Sequence, residues 1–169
     1  EFLNTQNTSL TGISMSDTNE KFDYIIIGAG VAGLASAQYA ARGGLKTLVI
    51  DVSIPGGQAL TIPTLENYPG VYPALSGTQF CQNMRDQAEG FGAVIIQSEV
   101  QSIDKVGSDF KIVTRKDSYI GTCVLIATGA EHRKLGVPGE DKLEGRGVSY
   151  CATCDGPFFR GKKVVVAGG

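Results

Sequence analysis

An α/β fold organised on a parallel sheet is what this 169-residue sequence predicts, and three observations carry the prediction. A short run of β-formers, Phe22 to Ile27, stops at Gly28; an alanine-rich helical pattern runs from Val31 to Arg42; a second apolar run, Leu45 to Ile50, ends at the acid Asp51. Strand, glycine turn, helix, strand is the order of a βαβ unit, whose two parallel strands are joined by a crossover helix. With 42% hydrophobic and 19% charged residues the chain has the material for an ordinary globular core.

The first turn carries Gly28, Gly30 and Gly33 in G-x-G-x-x-G spacing, with Ala29, Val31 and Ala32 between them. Such glycines permit a tight turn, let backbone approach a pyrophosphate closely, and allow helix to pack on strand; Asp51 is then placed to take ribose hydroxyls. The spacing alone is weak, but a strand before it, a helix after it and an acid about 20 residues on make a Rossmann-like dinucleotide site the expected reading. For Asp51 the plain alternative is a solvated acid closing a strand.

Ser53 to Gly70 holds several prolines and glycines and no periodicity, which reads as a long functional loop with Gly56-Gly57-Gln58 and Glu66-Asn67-Tyr68-Pro69-Gly70 standing out in it. An amphipathic helix is expected from Ser76, a suitable N-cap, to Phe91, with Gly92 just beyond; Cys81 and Met84 share its apolar face and read as packing. Ala93 to Gln97 reads as a strand, and Val100 to Lys105, Phe110 to Arg115 and Tyr119 to Ile126 as a small antiparallel meander. The last of these enters Ala127-Thr128-Gly129-Ala130, small residues that again let backbone crowd a ligand, and Cys123 within it reads as buried and inert.

From Glu131 the composition turns to charged, glycine-containing loop, with His132, Arg133, Lys134, Pro138 and Gly139, as in a hinge between domains; His132 reads as a solvated surface residue. Then comes Cys151-Ala152-Thr153-Cys154-Asp155-Gly156. Two cysteines three positions apart can close a small disulfide ring, and if they open a helix the first thiol feels the positive end of its dipole and loses its proton more readily. Asp155 sets a carboxyl beside the second sulfur, where a dithiol being made or broken needs a proton donor or acceptor. A zinc site would want four ligands, and only Cys81, Cys123 and His132 remain, scattered singly, so no metal is expected.

Val164 to Ala167 reads as a strand entering Gly168-Gly169, the way a second dinucleotide fold begins, and the sequence stops before a helix, as if cut in mid-motif. If that motif continues as a second Rossmann unit, one chain holds two nucleotide sites with a redox-active disulfide between them, which points to a flavin in one and a nicotinamide in the other. Glu1 to Asn19 is polar and aperiodic and reads as a disordered lead, with the opening Glu-Phe an expression-vector remnant ahead of Met15. No secretory signal is seen, so a cytoplasmic, reducing setting is expected, where paired cysteines are catalytic or redox-sensing. A net charge of −2 without long basic runs argues against nucleic acid and anionic membrane as partners, and no apolar run is long enough to span a bilayer.

Five stretches in order, Gly28-Ala29-Gly30-Val31-Ala32-Gly33, Gly56-Gly57-Gln58, Glu66-Asn67-Tyr68-Pro69-Gly70, Ala127-Thr128-Gly129-Ala130 and Cys151-Ala152-Thr153-Cys154-Asp155-Gly156, resemble the low-molecular-weight thioredoxin reductases over Phe22 to Gly169. The resemblance implies a Rossmann-like FAD-binding domain over 21–130, then a hinge and the truncated start of a Rossmann-like NADPH domain over 131–169, behind a lead of residues 1–20. It implies FAD along Ala29 to Ala32, with Gly57, Gln58 and Asn67 near the flavin and the Val100 backbone near the adenine. It further implies that Cys154 faces the flavin, Cys151 attacks the disulfide of thioredoxin, Asp155 handles the proton, and a full-length member is a homodimer. Cys154-Asp155-Gly156-Pro157-Phe158-Phe159 is also similar to the flavoprotein of the alkyl hydroperoxide reductase system, which carries a large region ahead of its first strand. The remaining alternative is a flavin-binding fragment whose disulfide never cycles.

Overall fold

The structure is a computed structural model that describes residues 20–168, apart from the side chains of Thr153 and Cys154. The expected lead, residues 1–20, lies outside the described residues except for Glu20. The chain divides into two compact units between Gly129 and Ala130.

In the first unit the apolar runs form β1 (Lys21–Ile27) and β2 (Thr47–Asp51), joined by α1 (Val31–Arg42) and paired in parallel from Tyr24 against Thr47 to Ile27 against Ile50. Both faces of these strands are covered, which is why they read as continuous apolar stretches. Ile26 and Val49 pack with Leu34, Ala37 and Ala41 of α1, whose small alanines let the helix lie close, while Ile25, Leu48 and Ile50 pack on the other face with Phe22 and Ile112. Ile25, Ile26, Leu34, Leu48 and Ile50 are all but fully buried, each contributing about 1.5–3 kcal/mol.

β3 (Val94–Gln97) extends the sheet beyond β2, and β4 (Val100–Val106), β5 (Asp109–Thr114) and β6 (Ser118–Ile126) form the antiparallel meander. The meander and the parallel strands are one six-stranded sheet in the order β3-β2-β1-β6-β5-β4. The long β6 joins them: it runs parallel to β1 from Ile120 to Ile126 and antiparallel to β5 from Ser118 to Gly121. α2 (Gly77–Gly90) starts as its sequence indicates, the Ser76 hydroxyl accepting from the Gln79 amide at 3.1 Å. Cys81, fully buried with Phe80 and Leu65 against Ala59 and Leu60, pins the 53–75 loop, and burial raises its thiol pKa.

Two expectations are corrected. Cys123 is exposed, not buried: alternation along β6 assigns it a face, but only neighbouring elements decide whether that face is covered. Val164–Ala167 forms no strand, and Val164, Val165 and Val166 are exposed; β-propensity cannot substitute for a ladder partner. The second unit is built instead from the short helices α3 (Glu140–Leu143) and α4 (Ala152–Asp155) and a 3-10 turn at Gly156–Phe159.

Candidate functional site

The first unit assembles a cradle at the carboxyl end of its parallel strands. From β1 the chain passes to β2 and β3 on one side and to β6 on the other, the switch point beside which open α/β sheets hold ligands. Gly28 sits in that crevice with φ +104°, its amide on the Ile50 carbonyl at 2.8 Å, and a Cβ there would stand 2.3 Å from the Ala127 carbonyl oxygen. Gly33 is excluded from carrying a side chain for a similar reason, since its Cβ would lie 1.9 Å from the Gly28 oxygen. These two glycines serve the packing of turn, helix and strand.

Gly30 differs. It is the N-cap of α1 in an extended conformation any residue adopts, and a Cβ built on it meets no atom within 4 Å. The space is open, directly over a helix start whose first-turn amides have no intrahelical acceptors and whose first turn holds no acidic residue. Such a terminus suits a phosphate, and the residues present fit a dinucleotide pyrophosphate there.

A second glycine loop is stitched onto the first. The Gly56 amide donates to the Ala29 carbonyl at 2.7 Å, Gly30 and Gly56 form a bridge, and a Cβ on Gly57 (φ +57°) would come within 3.3 Å of the Gly30 Cα. Gln58 is the second residue of the 3-10 turn Gly57–Thr61 that follows, and Asn67 lies exposed further along. Thr128 and Gly129 are exposed just past β6, and Val100 is half-buried at the start of β4, two residues beyond Ser98, whose amide bonds the Asp51 carbonyl.

Asp51 is placed at the strand end as expected, but its carboxylate already has partners inside the chain. Oδ2 accepts from the Ala29 amide at 2.5 Å, and Oδ1 from the Ser53 amide at 2.8 Å and the Ser53 hydroxyl at 3.2 Å. It therefore ties the β1–α1 turn to the loop after β2. Two carboxylate oxygens offer about four acceptor positions, so capacity for a ribose hydroxyl remains.

In the second unit Cys151 stands directly before α4. Its amide donates to the Ser149 hydroxyl oxygen at 3.1 Å, that hydroxyl donates to its carbonyl at 3.3 Å, and the same carbonyl accepts from the Asp155 amide at 3.0 Å. Cys151 is half-buried and disulfide-bonded; Cys81 and Cys123 are free thiols. The side chain of Cys154 lies outside the described residues. Asp155 closes α4 half-buried, and Phe158 is exposed.

Sequence reasoning missed Glu140 and Tyr150. Glu140 is buried, and its carboxylate accepts from the amides of Leu135 (2.8 Å), Gly136 (2.7 Å) and Val137 (3.3 Å) and from the Tyr150 hydroxyl (2.5 Å). The Tyr150 bond and then the backbone amides hold its pKa down at about 2, while the same bond to Glu140 pushes Tyr150 up to about 12. His132 is exposed, as expected of a solvated residue, and its ring stacks on that of Tyr150 at 5.4 Å between centroids. The available signal was Pro138-Gly139-Glu140, a turn entering a helix with an acid at its first position.

Residues 22–169 match the family model described as pyridine nucleotide-disulphide oxidoreductase. Over 148 residues the chain is 57% identical to a thioredoxin reductase of Treponema pallidum, covering 88% of this chain and 48% of that one. Among solved structures, a thioredoxin reductase from Streptococcus pyogenes superposes with a TM-score of 0.72 at 45% identity over 82% of this chain and 45% of its own. A ferredoxin-flavin thioredoxin reductase from Clostridium acetobutylicum gives 0.61 at 36%, over 83% and 49%. The chain thus spans about half the length of the relatives it matches.

Proposed function

Because this chain belongs to the pyridine nucleotide-disulphide oxidoreductase family, we propose that it is the flavin-cradle and dithiol part of a thioredoxin-disulfide reductase, in which electrons pass from NADPH through FAD to a Cys151–Cys154 disulfide and on to thioredoxin. The observation that carries the reading is a disulfide-bonded Cys151 at the head of α4, followed at once by Asp155, in a chain whose other unit leaves an open seat at Gly30. Bound FAD supplies a relay between a hydride donor and a disulfide acceptor.

In this reading the α1 terminus from Ala29 to Ala32 holds the pyrophosphate, with Gly28 and Gly33 shaping the turn and its packing. Asp51 keeps the turn in place and takes the ribose; Gly56, Gly57, Gln58, Asn67, Thr128 and Gly129 line the flavin, and the Val100 backbone meets the adenine. Once the disulfide has accepted two electrons, the Cys151 thiolate attacks a thioredoxin sulfur, forming a mixed disulfide and releasing a thiolate that takes up a proton. The Cys154 thiolate then attacks the Cys151 sulfur, closing the internal disulfide and freeing the second thioredoxin thiol, with Asp155 taking and giving the protons. A cytoplasmic homodimer goes with this reading. Among the described residues no helix is long and apolar enough to cross a membrane.

The test is anaerobic titration of the FAD-loaded full-length protein with NADPH, followed by trapping. Flavin bleaching and a stable mixed disulfide between thioredoxin and Cys151 in Cys154→Ser are expected. Trapping only by Cys151→Ser reverses the two roles. The ferredoxin-linked relative makes reduced ferredoxin a second arm. No bleaching with either donor would leave a flavin-binding module and end the electron-transfer reading.

A further inference from the structure

Among the described residues Glu140 is the only charged side chain that is buried. A buried carboxylate is tolerated only when its acceptor positions are filled, and here four donors fill them: three consecutive amides of the segment before α3, and one phenol. That phenol belongs to Tyr150, the residue immediately before Cys151. Tyr150 is held twice, by its hydroxyl on Glu140 at 2.5 Å and by its ring against His132. The Cys151 backbone is itself held by the Ser149 hydroxyl and, on its C-terminal side, by the first turn of α4.

We propose that Glu140 and Tyr150 are positioning residues for the dithiol: the carboxylate–phenol bond anchors the chain entering Cys151 and so sets where its sulfur stands relative to its disulfide partner. The inference rests on the reading of Cys151 as half of a cycling disulfide. The bond acts through effective concentration. Held backbone keeps the Cys151 sulfur near its partner after reduction, which favours reclosure; freed backbone lets it wander and favours the dithiol.

The reaction to measure is protein disulfide plus dithiothreitol giving protein dithiol plus cyclic oxidised dithiothreitol, two electrons and two protons passing from reagent to protein. The wild-type chain, Tyr150→Phe and Glu140→Gln are equilibrated in dithiothreitol redox buffers, quenched and alkylated, and the peptide bearing residues 151–154 is quantified by mass spectrometry. Thermal midpoints are recorded alongside. Tyr150→Phe keeps the ring on His132 and removes only the hydroxyl, so it is the informative variant if Glu140→Gln fails to fold.

The expected result for Tyr150→Phe is an equilibrium displaced about tenfold toward the dithiol, a potential higher by ~30 mV for a two-electron couple. A variant with the wild-type equilibrium constant overturns the proposal, whether or not its thermal midpoint has fallen, because a merely structural bond lowers stability without moving the potential. A shift in Glu140→Gln with none in Tyr150→Phe overturns it too, since the link through the phenol is then not the one that acts. The equilibrium needs neither flavin nor thioredoxin, so its outcome is separate from the trapping experiment that tests the catalytic roles.

Discussion

Replacing Gly30 with threonine separates a glycine kept for a ligand from glycines kept for packing. Gly30 has φ −70° and ψ −177° and nothing within 4 Å of its Cβ position, so a β-branched residue is accommodated there, and threonine is itself a good helix N-cap. The FAD-free protein should therefore keep its stability to within ~0.5 kcal/mol. With a pyrophosphate seated over the α1 terminus, the new side chain occupies the ligand's space. Losing two amide-to-phosphate bonds at ~1.5–3 kcal/mol each weakens FAD by about 10²- to 10⁴-fold. Gly33→Ala should behave in the opposite way. Its Cβ falls 1.9 Å from the Gly28 oxygen, and relieving that overlap costs at least about 1–3 kcal/mol before any ligand is added. Equilibrium dialysis against FAD and thermal melting of the FAD-free protein read the two effects separately. Wild-type FAD affinity in Gly30→Thr, or wild-type stability in Gly33→Ala, would refute the division of labour.

Two further outcomes follow from hydrogen bonds in the structure. Glu140 lies at about 2 against an ordinary 4.5, so the folded state favours its ionised form; this stability is complete above pH 4.5 and lost as pH falls toward 2. Tyr150 lies at about 12 against 10, so the folded state favours the neutral phenol, and that contribution is complete below pH 10 and lost as pH rises toward 12. One bond stands behind both, so Tyr150→Phe should remove the alkaline loss and shorten the acid one in hydrogen exchange of the 130–168 amides; an unchanged alkaline loss would contradict the assignment. Asp51→Asn turns an amide NH2 toward either the Ala29 or the Ser53 amide and should destabilise the FAD-free protein by about 1–3 kcal/mol. A variant that melts like wild type would make Asp51 a ligand contact only.

Much of the first unit was legible because its determinants are local. The β1 and β2 runs, the alanine-rich α1, the Ser76 cap and the spacing of Gly28, Gly30 and Gly33 each express a backbone preference or a periodicity within a few residues, and the structure places those elements where they were read. What could not be read is which elements meet. Nothing in Ser118–Ile126 announces that it pairs in parallel with one strand and antiparallel with another. Cys123 has the pattern of a buried residue and the exposure of a free surface one, because coverage belongs to its neighbours.

The site divides along the same line. Sequence by itself determined the glycine turn, the acid at the end of β2 and the cysteine pair beside Asp155, since their chemistry lies in residue type and spacing. Tertiary structure alone decided that Gly56 closes onto Ala29, that Asp51 turns inward to hold the turn, and that Glu140 is buried beneath the residue preceding Cys151. An acid in a proline-glycine turn reads as solvated on every local criterion. Only the convergence of three amides and a phenol from ten residues further on offsets the cost of taking its charge out of water, and such convergence is a property of the folded chain.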